Sequence, residues 1–97
     1  MEKLALLVRL EARPGKEKEL EEFIKSALAL AQSEPETIRW YALQPGPSIY
    51  GIFDTFAAED GRQAHLGGPI ARALMEKADE LLSVPPRIEA VTLLAVK

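Results

Sequence analysis

The spacing of apolar residues along this chain switches between two periods, and the switches mark its elements. Residues 4–10 (LALLVRL) are a short apolar run with one charge, followed by Pro14-Gly15. A run of that length closed by turn residues predicts a strand. Leu4, Leu6, Val8 and Leu10 would share one face, and Ala5, Leu7 and Arg9 the other. From residue 16 to about 33 the period becomes helical. Leu20, Phe23, Ile24, Ala27, Leu28 and Ala31 form one stripe, with glutamates crowding the early turns. Glu21 and Lys25 are spaced for an ion pair on the solvated side, and Pro35 closes the helix.

Period two returns in residues 37–44 (TIRWYALQ) and, after Pro45-Gly46-Pro47, in residues 48–56 (SIYGIFDTF). These two runs read as a hairpin. In the second run Ile49, Gly51, Phe53 and Thr55 alternate with Tyr50, Ile52, Asp54 and Phe56. Gly51 has no side chain where a strand should pack, which predicts a close backbone approach. Thr55 is placed to cap the next helix, with Glu59 and Asp60 in its first turn. Gly61 weakens that helix, and Gly67-Gly68 interrupts it. Pro69 then restarts it at the position where proline is tolerated. Ile70, Leu74, Ala78, Leu81 and Leu82 make the last helical stripe, Met75 lies on its flank, and Pro85-Pro86 ends it. Residues 88–96 (IEAVTLLAV) are a final strand.

The order is therefore β-α-β-β-α-β, an α+β pattern. One compact solution is the ferredoxin-like plait, a four-stranded antiparallel sheet with helices on one face. The first and last strands carry apolar residues on both sides, so the open face of the sheet needs a cover. A second copy packed sheet to sheet about a two-fold axis supplies one, and a homodimer is expected.

Length and composition narrow the picture. Ninety-seven residues predict a single domain over 1–97. A chain of this size buries only roughly 60–70% of its unfolded surface, so association would help it. A net charge of −3 and a pI near 5.2 argue against a nucleic-acid partner or an anionic membrane surface. The chain has no cysteine and one histidine, which leaves no thiol chemistry and no sulfur-ligated metal, and a His-rich metal site would have to be shared between subunits. The N-terminal apolar run is too short to span a bilayer and lacks a cleavage site, so the expected location is cytoplasmic. Asparagine is absent, as is common in proteins from hot environments.

His65 is the one side chain whose ordinary pKa lets it exchange a proton near neutrality. It lies where a helix breaks at glycines, near in sequence to Asp54 at a strand end. Two readings stand side by side: a proton-handling residue facing a pocket, or a helix-end histidine favoured by the dipole. Asp54 could orient it, pair with Arg62 or face solvent. Trp40, Tyr41, Tyr50, Phe53 and Phe56 cluster on the hairpin as candidate pocket walls or as core. No phosphate loop, nucleophile-base pair or dinucleotide fingerprint is present.

Pro14-Gly15-Lys16-Glu17 before the first helix resembles the pattern of the antibiotic-biosynthesis monooxygenase-like, or quinol monooxygenase-like, family of dimeric α/β barrels. So does a strand ending in Phe56 followed by a short acidic helix reaching Ala64-His65-Leu66. The resemblance implies a ferredoxin-like protomer pairing its sheet with a second one. It also implies a small oxygenase that uses no metal or organic cofactor and acts on a quinol, phenol or other aromatic. On that reading His65 matches the family's helix histidine, as proton acceptor or hydrogen-bond partner, and Trp40, Tyr50 and Phe53 wall the substrate. Phe56 stands where many relatives carry Trp. The haem-degrading branch is not matched, since Asn is absent, His65 falls at its Trp position and Met75 near its His. A cofactor-free isomerase and a non-catalytic dimeric module binding a small ligand are the alternative functions on the same scaffold.

Overall fold

The computed structural model describes residues 1–97. Its elements are β1 (Leu4–Glu11), α1 (Glu17–Ser26), α2 (Leu28–Gln32), β2 (Thr37–Gly46), β3 (Ile49–Phe56), α3 (Glu59–Leu66), α4 (Pro69–Leu81) and β4 (Arg87–Thr92). The four strands form one antiparallel sheet in the order β2-β3-β1-β4, the ferredoxin-like plait expected from the apolar spacing. No helix is long and apolar enough to cross a membrane.

Strand alternation sorts the sheet into an inner face under the helices and an outer face. Leu6 pairs with Asp54, Val8 with Ile52 and Leu10 with Tyr50, and all six are buried on the inner face. Leu20 and Ile24 of α1 and Leu74 and Leu81 of α4 close over the sheet to complete the main core. Ala27, Ala31 and Ile70 form a smaller cluster beside it, and Trp40 packs against both. Burying a leucine-sized side chain stabilises by about 1.5–3 kcal/mol, so the shared apolar stripe of α1 and α4 is what attaches both helices to the sheet.

Gly51 is where the backbone comes close. A Cβ built there would lie 2.7 Å from the carbonyl oxygen of Val8 on the neighbouring strand. The approach expected from its missing side chain is that of β1.

Several expectations change. The single helix over residues 16–33 is broken at Ala27 into α1 and α2. Ser26 donates its hydroxyl to the Phe23 carbonyl, 2.6 Å away, and the Ala27 N–H bonds Ile24 three residues back, tightening the turn. Thr55 does not cap α3. It stays in β3, donates to Glu2 Oε1 at 2.7 Å and accepts the Arg39 N–H at 3.1 Å, and the N-cap is Ala58. The last strand stops at Thr92 and not Val96: the Leu93 N–H still bonds the Lys3 carbonyl in register, and β1 offers no strand residue before Leu4 for the chain beyond to pair with. Residues Leu93, Ala95, Val96 and Lys97 then share a cleft of about 330 Å³ on the outer face with Tyr41, Phe53 and Thr55.

Candidate functional site

Three elements bring three ionisable side chains together at one end of the inner face. β3 supplies Asp54, which is fully buried. α3 supplies His65 in its last turn, 8% exposed. The turn between α2 and β2 supplies Glu34, whose side chain is 17% exposed. His65 Nδ1 lies 2.7 Å from Glu34 Oε1, and Nε2 lies 2.8 Å from Asp54 Oδ2. Asp54 Oδ2 approaches Nε2 as an ion pair, and nothing else reaches either Asp54 oxygen as a hydrogen-bond partner. Glu34 Oε1 also accepts the Thr37 hydroxyl at 2.7 Å, while Oε2 is buried without a partner.

Local structure explains the assembly. Arg62, one turn before His65, reaches the Ala5 and Val91 carbonyls with one Nη, which ties α3 to the sheet. Its other contacts are to Glu59, so it does not compete for Asp54. Gly61 lets α3 approach the α2–β2 turn, since a Cβ there would lie 3.0 Å from that of Glu36. The helix glycine that costs local stability is therefore spent on placing His65. Phe56 backs the imidazole, with ring centroids 5.5 Å apart.

Burial pulls the pKa of His65 down, but Asp54 and then Glu34 outweigh it, and the value is pushed up to about 9. At neutral pH His65 is therefore an imidazolium between two carboxylates, each of its ring nitrogens facing one of them. In that charge state the ring acts as a cation and hydrogen-bond donor.

The other expected site residues divide. Trp40 pairs across the strands with Asp54 on the inner face, half-buried, with its indole N–H unpartnered. Phe56 is fully buried against His65. Tyr50 is core and lies at the other end of β3, where its hydroxyl accepts from Gln44 at 3.4 Å. Phe53 faces the opposite side of the sheet and stacks on Tyr41, centroids 6.4 Å apart. One wall cannot hold Phe53 together with Trp40, because β3 turns successive side chains to opposite faces. None of the principal clefts is lined by His65.

Glu34 is the member that sequence reasoning missed. No period or motif in the sequence marks it; Glu34 reaches His65 because the α2–β2 turn is stacked against the end of α3.

The chain is 61% identical to the NE2512 protein of unknown function from Nitrosomonas europaea, over all of this chain and 94% of that one, with a TM-score of 0.98. The chain belongs to the NE2512 family. No family model matches it, and neither does any curated protein. The NE2512 family shares its fold with more distant structures. One from Nitrosomonas europaea, described as a "putative antibiotic biosynthesis monooxygenase", is 14% identical over 95% of this chain and 90% of its own, with a TM-score of 0.83. Another so described, from Caulobacter crescentus, is 18% identical over 97% and 92%, with a TM-score of 0.82. At these identities the likeness is one of fold, and it is the fold that the motifs around Pro14 and His65 implied.

Proposed function

We propose that this member of the NE2512 family is a small oxygenase of a phenolic or quinol-type aromatic, using no metal or organic cofactor. The observation that carries this reading is the buried His65 ring, held 2.8 Å from Asp54 and backed by Phe56, with a pKa pushed up to about 9. A phenol activates O2 once it is ionised. The fixed cation favours the phenolate in a dry site, where its field is weakly screened. The displaced proton goes to a carboxylate of the triad. The phenolate passes an electron to O2, and the radical pair joins at a ring carbon. Breaking the O–O bond leaves one oxygen as a quinone carbonyl and the other in water. The substrate supplies all four electrons.

A second copy belongs to this proposal. Leu7 and Tyr41 remain partly exposed on the outer face with Phe53 beside them, and a partner's sheet would cover them.

Oxygen uptake with a panel of phenols and hydroquinones, in the presence of a chelator, tests the reading. Wild-type protein should consume O2 in proportion to quinone formed. His65→Ala should lower kcat by about 10²–10³-fold, the usual effect of losing a donor aimed at a developing oxyanion. No uptake across the panel would overturn it. One observation favours a non-catalytic ligand-binding module instead: His65 already faces a carboxylate at each ring nitrogen. Thermal stabilisation by a phenol without O2 uptake would decide for that.

A further inference from the structure

The two carboxylates on His65 are not equivalent. Asp54 belongs to an inner strand of the sheet, is fully buried, and has no route to water. Glu34 stands on a short turn before the edge strand β2, and part of its side chain reaches the surface. It holds both its bonds, from His65 and Thr37, through the single oxygen Oε1. Oε2 is buried without a partner, a cost that swinging outward into water would recover.

A glycine, with no side chain, borders Oε2. Gly68 is its neighbour, and a Cβ at that position would sit 3.7 Å from Oε2. Gly68 also lines a surface cleft of about 470 Å³ with Leu66, Ala71, Met75 and Arg72. Glu76 also lines this cleft, and Gly68 is the residue that links it to Glu34 Oε2. The fully buried Asp54 carboxylate lies 2.8 Å from Nε2 on the other side of the ring, where its charge would favour the imidazolium without Glu34.

We propose that Glu34 is a built-in occupant of the substrate-oxygen position, and that a phenol enters the Gly68 cleft and displaces the Glu34 carboxylate from His65 Nδ1. The inference rests on the oxygenase reading for its substrate class. The exchange conserves charge. The phenolic O–H bond breaks, the proton forms an O–H bond on Glu34 Oε2, and the neutral acid swings toward water. The phenolate takes over the Nδ1–H hydrogen bond. One anion leaves the buried triad as another arrives, so no net charge is added to a desolvated site. The same exchange makes Glu34 a selector: an ether or a hydrocarbon ring, with no proton to give, cannot neutralise it.

Binding of 4-nitrophenol under argon tests the exchange without any turnover, since phenol and phenolate absorb at different wavelengths. Wild-type protein should bind it as the phenolate, and Glu34→Ala should bind the anion about tenfold tighter, having lost the internal competitor. Nitrogen-15 NMR of the single histidine gives a readout that does not depend on the variant folding. Saturating wild-type protein with 4-nitrophenol should move the Nδ1 resonance and leave Nε2 nearly unchanged. The proposal is overturned by no binding, by equal or weaker binding to Glu34→Ala, or by binding that leaves Nδ1 unmoved. Anion exchange without O2 uptake on any phenol would keep the Glu34 gate and remove the oxygenase reading. O2 uptake with Nδ1 unmoved would do the opposite.

Discussion

His65 Nδ1 and Glu34 Oε1 lie 2.7 Å apart although 31 residues separate them, and Asp54 closes the other side of the ring at 2.8 Å. A cation between two buried anions is costly to assemble and more costly to break in part, because removing one member strands a charge away from water.

The pH dependence of stability should carry the signature of His65. Its pKa in an unfolded chain is near 6.5, and in the folded protein it is pushed up to about 9, so the native state binds this proton more tightly. The stabilisation is present in full below about pH 6.5 and is lost as pH rises through about 9. Its upper limit is on the order of 3 kcal/mol. Urea denaturation at pH 6, 8 and 10 should show the loss in wild-type protein, and His65→Gln should lack that component. An NMR titration of the only histidine should give a midpoint near 9. A midpoint near 6.5 would contradict the clamped imidazolium.

Asp54→Ala should be among the most damaging single changes at the site. It removes the fully buried partner of His65 and opens space on the inner face beside Leu6. A loss of about 3–5 kcal/mol is expected by urea denaturation, enough to unfold a marginal domain of this size. Glu34→Ala should cost less, because the Glu34 side chain is nearer water and Asp54 still balances the imidazolium. Equal losses for the two variants would remove the distinction between anchor and displaceable partner.

Gly51→Ala should destabilise without touching any ionisable group. Its Cβ would be driven to 2.7 Å from the Val8 carbonyl oxygen, which belongs to backbone and cannot rotate away. The β1–β3 pairing must widen, at a cost of about 1–3 kcal/mol. The loss should appear equally at pH 6 and pH 10, unlike the effect of His65→Gln.

The outer sheet face should carry a second copy. Sedimentation at micromolar concentration is expected to give twice the chain mass, and Leu7→Asp, which places a charge on that face, should yield monomer or unfolded protein. A monomer mass for the wild-type chain would refute it.

Much of the fold was legible because it depends on periods that each residue shares with its near neighbours. Alternation in residues 48–56 placed Tyr50, Ile52, Asp54 and Phe56 on one face and Phe53 on the other, and pairing with β1 kept that division. Missing the break at Ala27 and the end of β4 at Thr92 has a different origin. Those limits are decided by the Ser26 hydroxyl, which bonds the Phe23 carbonyl, and by the start of β1 at Leu4, which leaves residues past Leu93 without a strand to pair with; neither alters the periodic pattern. His65 and Asp54 were visible as candidates from their types alone, but their joint state was not. Whether a histidine is base or cation depends on how deeply it is desolvated and on which carboxylates reach it. The distances across three separately anchored elements set both. Glu34 has no period, motif or neighbour that marks it, and only the stacking of the α2–β2 turn against the end of α3 makes it part of the site.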